Sequence, residues 1–143
     1  MEPEEFVNID RDCQRFLDLI REMQRGAEGI ANTPPKDWGL GADNPLLTSA
    51  ATMVSWFRDK AKSADGGNSV YAILEEHYRI VEDIQTVHKV IMERYIAADA
   101  EFAAEVRSLE ASLGPLAPIA GAPAQATPET NPNSRHVSRG GRF

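Results

Sequence analysis

The chain has 143 residues, enough for one helical or mixed domain with tails. Its formal charge is −7, and the excess acid is concentrated in residues 1–113, which hold 21 acids against 12 bases. An acidic body repels phosphate, so the folded part is not expected to bind nucleic acid. One cysteine, Cys13, excludes an internal disulfide. No stretch approaches 18 consecutive apolar residues, so no membrane span is expected. The acidic start MEPEEF lacks the apolar core of a general secretory signal.

In chain order, residues 3 to about 30 predict the first helix. Pro3 suits a first helical position, and Glu4 and Glu5 complement the positive end of the helix dipole. Phe6, Cys13, Phe16, Leu17, Ile20, Ala27 and Ile30 form its expected buried stripe, with Cys13 a small packed side chain rather than a nucleophile. The run Asn32-Thr33-Pro34-Pro35 ends it. A turn-rich loop, KDWGLGADNP, follows. Gly39 and Gly41 permit positive φ angles there, and Trp38 is expected to fold back as an apolar lid. A second helix is predicted from Pro45, capped by Asn44, to about Lys62. Leu46, Leu47, Ala50, Met53, Val54 and Phe57 are its expected buried side, with Trp56 at the edge.

After the Gly66-Gly67 break, residues 69–113 run without Gly or Pro and predict one long helix of roughly 65 Å. Val70, Leu74, His77, Val81, Ile84, His88, Ile91, Tyr95, Ala98, Phe102 and Leu109 recur at the near-3.5 period of a helix–helix seam. Ile73, Ile80, Val87 and Val106 widen it. Such a helix cannot bury its own stripe. Ile73, Ile80, Val87, Ile91, Phe102 and Val106 are therefore the expected partner interface. Gly114-Pro115 closes the helix. Residues 114–143, rich in Pro, Ala and Gly, are expected to be a disordered tail. The architecture predicted is all-α: an antiparallel helical hairpin or bundle over residues 1–113. One long C-terminal helix is covered by two shorter ones laid along it.

Catalytic and cofactor patterns are sparse. His77 and His88 lie three helical turns apart, about 16 Å, so they cannot share a metal ion within one chain. Adjacent carboxylates such as Glu75-Glu76 and Glu82-Asp83 point about 100° apart on a helix and do not converge as an acid/base pair. No Gly-rich phosphate loop and no nucleophile–base order is present. No enzyme activity, cofactor or metal is expected. Arg135, Arg139 and Arg142 suit either a solubilising tail or weak nucleic-acid contact.

The stretch Glu93-Arg94-Tyr95-Ile96-Ala97-Ala98-Asp99, followed by Phe102 and Ala103, places a tyrosine four residues before an acid, late on the second arm of a hairpin. It resembles the export signal of actinobacterial type VII (ESX) secretion substrates, and is similar to the EspC-like proteins and their WXG-type relatives. The resemblance implies a hairpin that pairs with itself or a partner hairpin and is recognised by the secretion ATPase. It further implies a cytoplasmic protein before export that becomes secreted or surface-bound. Tyr95 and Asp99 are the implied signal residues. Tyr71–Glu75 and Tyr78–Glu82 share the spacing, and a packed seam aromatic is the other reading of Tyr95. Without the resemblance, the same seam suits a cytoplasmic scaffold, chaperone or immunity-like module.

Overall fold

The computed structural model describes residues 2–65 and 67–119. Among these the chain forms α1 (Pro3–Asn32), a short 3-10 turn (Pro35–Trp38), α2 (Thr48–Ala61), α3 (Val70–Ala98) and α4 (Ala100–Leu113), with no strand. The expected all-α hairpin is what is found. Most of the expected disordered tail, residues 120–143, lies outside the described residues; residues 115–119 follow α4 without helix.

α1 begins with Pro3 in the first turn, and the Glu5 carboxylate accepts the Glu2 backbone N–H at 3.0 Å. Its buried residues are Pro3, Phe6, Val7, Leu17, Ile20, Gln24 and Ala27. The expected stripe is thus correct in period and rotated in phase: Phe16 is 59% exposed and Ile30 is also exposed. The loop uses its glycines as the turn chemistry requires. Gly39 and Gly41 take φ of 68° and 67°, the left-handed region open to glycine. Trp38 donates its indole N–H to the Thr33 carbonyl at 3.3 Å and stacks on Phe57 with ring centroids 6.1 Å apart.

α2 starts three residues later than the sequence suggests. The Asn44 side chain accepts the Leu46 N–H at 3.0 Å, closing a local turn instead of capping a helix. Only Val54 and Ala61 of α2 are buried; Leu46 is 87% exposed, and Leu47, Met53, Trp56 and Phe57 are exposed too. α2 is fastened to α1 instead by its polar end. The Arg58 Nε–H donates to the Ala31 carbonyl at 2.7 Å, and the Lys62 ammonium pairs with Glu28.

α1 and α3 lie antiparallel along nearly their whole length. Gln24 meets Tyr71 and Glu75, Arg21 meets Glu75, Asp10 meets Gln85 and the Phe6 carbonyl meets His88. Just past the end of α2, the Lys62 ammonium sits 4.3 Å from the ring centroid of Tyr71 in the first turn of α3.

The segment expected as one helix is bent at Asp99, which takes extended angles (φ −138°, ψ 113°). The Asp99 N–H donates the last α3 hydrogen bond, to Tyr95, and its Oδ1 accepts the N–H groups of Glu101 and Phe102 at 2.9 and 3.1 Å. Aspartate is a strong N-cap, and it ends one helix and starts the next without Gly or Pro. α4 then folds back beside the start of α1. Phe6, Val7, Phe102 and Val106 form the main core cluster, with Met92, Ile96 and Leu109 packed against it.

Two stability measurements follow. Hydrogen bonds from Gln24 and Arg21 hold the Glu75 carboxyl below its ordinary range. A depressed folded pKa contributes stability that is present above the unfolded carboxylate pKa, about 4.3, and lost as pH falls through the folded value. Glu75→Gln is expected to cost about 0.5–1 kcal/mol near pH 7 in urea unfolding, with the difference from wild type shrinking below pH 4.3. Gly41→Ala forces a positive φ and brings its Cβ to 2.8 Å from Leu47 Cδ1. It is expected to cost about 1–2 kcal/mol in the same measurement.

Candidate functional site

Polar side chains set the register of the contact between α1 and α3. Facing α1, α3 presents Glu75, Tyr78, Gln85 and His88. The Arg21 guanidinium hydrogen-bonds Glu75 at 2.6 Å and lies 3.6 Å from the Tyr78 ring centroid. Gln24, nine-tenths or more buried, donates to Glu75 at 2.9 Å; Gln85 donates to Asp10 at 3.1 Å. His88 Nε2 sits 2.8 Å from the Phe6 carbonyl, which makes that nitrogen the donor.

This polar contact decides which face of α3 remains open. Its inward positions are one residue out of step with the expected seam. Leu74, Val81 and His88 are shared by both, whereas Val70, Ile84, Ile91 and Tyr95 are exposed. They join Ile73, Ile80 and Val87, the last 60% exposed. Together Ile73, His77, Ile80, Ile84, Val87 and Ile91 step four, three, four, three, four along one face, the spacing of a seam that packs on another helix. α1 adds a second exposed row. Ile9, Phe16, Met23 and Ile30 recur every seven residues, with Leu19 beside them. The two rows meet on one side of the hairpin, where Ile9, Cys13 and Phe16 share a groove of about 290 Å³ with Val81 and Ile84. α4 occupies the other side, against Val7, Arg11 and Met92.

Of the six residues expected to meet a partner, Ile73, Ile80, Val87 and Ile91 lie on this open face. Phe102 and Val106 do not. The bend at Asp99 turns them inward onto Phe6 and Val7, where they are 9% and 1% exposed, so no partner reaches them in this fold. The α1 row is the part that the sequence reading missed. Its signal is the seven-residue recurrence of Ile9, Phe16, Met23 and Ile30; the expected buried stripe takes in Phe16 and Ile30 and leaves out Ile9 and Met23.

Tyr95 and Asp99 sit at the opposite end from the Trp38 loop. The Tyr95 ring packs against Phe6 and Phe102, with centroids 5.4 and 5.6 Å away, and remains about half exposed. The Asp99 carboxylate serves as the α4 cap. The pair is thus integrated with the bend. In the loop of Trp38, Gly39 and Gly41, the Trp38 ring closes onto Phe57 of α2. Burial pushes the Cys13 thiol up from its ordinary value, with Asp10 and Asp12 adding to the shift.

Among the described residues no group of three metal-ligating side chains converges, and no helix is long and apolar enough to cross a membrane. No protein-family model, curated protein or solved structure matches the chain.

The cap role of Asp99 is open to direct measurement. Asp99→Ala is expected to cost about 1 kcal/mol in thermal unfolding, whereas Asp99→Asn, an equally good cap, stays within a few tenths of wild type.

Proposed function

We propose that this chain is a non-enzymatic protein–protein interaction module whose working surface is the open apolar face of α1 and α3. One observation carries the reading: the hairpin pairs its helices through polar groups and leaves its seam-spaced apolar residues outside. Exposed apolar area of this extent marks an interaction surface. Long helices with 3.5-residue apolar spacing take other helices as partners.

We further propose that the module works in a type VII (ESX)-like export route, as a substrate or a secretion-associated protein. In this reading Tyr95 and Asp99 form the element recognised by the secretion ATPase. Their position at an exposed bend, remote from the α2 end of the hairpin, leaves the tyrosine approachable. The chain is then cytoplasmic before export and secreted or surface-bound afterwards. The cap role of Asp99 favours a second reading, in which the module is a cytoplasmic scaffold or chaperone and the Tyr95–Asp99 pair is purely structural.

Asp99→Asn separates the two, because it keeps the cap and removes the charge. The measurement is the amount of protein in culture filtrate of the native host against a cytosolic marker. An acid-reading export signal predicts loss of most filtrate protein for Asp99→Asn and Tyr95→Ala at unchanged cellular levels. Export equal to wild type for both variants removes the signal role, and absence of wild-type protein from the filtrate removes the export reading.

A further inference from the structure

We infer that the partner on the open face is a second copy of this chain, related by a two-fold axis that crosses α3 next to Glu82 and α1 at Cys13. The inference rests on the interaction-module reading and names its occupant.

The α3 row is self-complementary when reversed. Set antiparallel about residue 82, Ile73 opposes Ile91, Ile80 opposes Ile84, and His77 opposes Val87. The pairing places isoleucine on isoleucine in the layers next to the axis and in the outermost ones. Alternating steps of four and three keep every layer on the contact line. Such reciprocity is what an isologous two-fold interface requires.

The register within the hairpin extends the pattern to α1. Asp10 lies level with Gln85, and Phe6 with His88, so the level of residue 82 on α3 falls at residue 13 on α1. The same axis therefore brings Ile9 near Phe16 of the second copy and Cys13 near its own equivalent. The groove formed by Ile9, Cys13, Phe16, Val81 and Ile84 lies at that midpoint. On α1 the pair Ile9 and Phe16 brackets the axis that the α3 row defines, whereas Met23 and Ile30 lie beyond it toward the end of α1.

The exposed area is of the right size. Seven apolar side chains on the open face of α3, with Ile9 and Phe16 on α1, are exposed about this axis. At roughly half of about 100 Å² each they present on the order of 450 Å², near the apolar share of the roughly 800 Å² per partner in a stable complex. The segment beyond the described residues is a poor alternative cover. Residues 120–143 contain two large apolar side chains, Val137 and Phe143.

The test uses the full chain under reducing conditions, in moderate salt to screen the acidic bodies from one another. Sedimentation equilibrium at tens of micromolar is expected to give a dimer. The double variant Ile80→Glu/Ile84→Glu sets acids against acids beside the axis and is expected to give a monomer of unchanged circular dichroism, since both side chains are more than half exposed. A short bismaleimide is expected to convert wild type to a covalent dimer through Cys13 and to leave Cys13→Ser uncoupled. A two-fold running along the helices would set α1 on α3 instead and separate the two cysteines. A wild-type monomer overturns self-pairing. If that monomer binds a hydrophobic dye and the double variant does not, the interaction-module reading stands with a different partner; if neither binds dye, both readings fall. A dimer that Cys13 cannot cross-link overturns the axis.

Discussion

The structure depends on the polar contact between α1 and α3. Arg21 and Gln24 on Glu75, Asp10 on Gln85 and the Phe6 carbonyl on His88 admit one register and one rotation of the two helices. A purely apolar contact would tolerate sliding by a turn at modest cost, because one isoleucine replaces another. A buried amide or partly buried carboxylate left without its partner costs about 1–3 kcal/mol. Each exposed-edge ion pair adds little by itself. Collectively they rank the alternatives, and they send the apolar rows outward. Specificity inside the hairpin and adhesiveness outside it thus have one cause.

Much of this was legible in the sequence, for reasons that lie in particular residues. Pro3, Gly39 and Gly114-Pro115 are punctuation with a local mechanism, and each falls at or beside an element boundary, while Gly41 and Gly67 fall in the loops between elements. Helical periods were equally plain. Phase was not, because α3 is apolar on more than half of its circumference. A period of 3.5 fits both the row at Val70, His77, Ile84 and Ile91 and the inward row at Tyr71, Tyr78, Gln85 and Met92. Hydrophobicity alone selects the first. The structure selects the second, since Tyr78, Gln85 and Glu75 find partners on α1, and Tyr71 finds Lys62, that no local pattern announces.

The bend at Asp99 was hidden for a related reason. Ala98-Asp99-Ala100 is compatible with a continuous helix, and aspartate within a helix costs less than about 0.7 kcal/mol. The decision belongs to tertiary packing. Burying Phe102 and Val106 on Phe6 and Val7 contributes about 1.5–3 kcal/mol for each large side chain, enough to favour a break that the cap makes inexpensive. Residues with a strong seam signature therefore ended up in the interior, and the expected interface lost its C-terminal third.

The manner in which α4 is attached bears on motion. Its ties are Phe102, Ala103 and Val106 in the core, and the Arg11 guanidinium on the Gly114 carbonyl at 2.6 Å. α4 has 14 residues, near the lower limit at which an isolated helix persists in water. Once lifted from α1, it loses the packing that keeps it helical. Detachment and unwinding are then a single event, and the two turns of α1 around Phe6 and Val7 lose their cover in the same step. Order at this end of the molecule is cooperative across three segments distant in sequence. Its amides are set to exchange with solvent together, as one unit distinct from the middle of the hairpin.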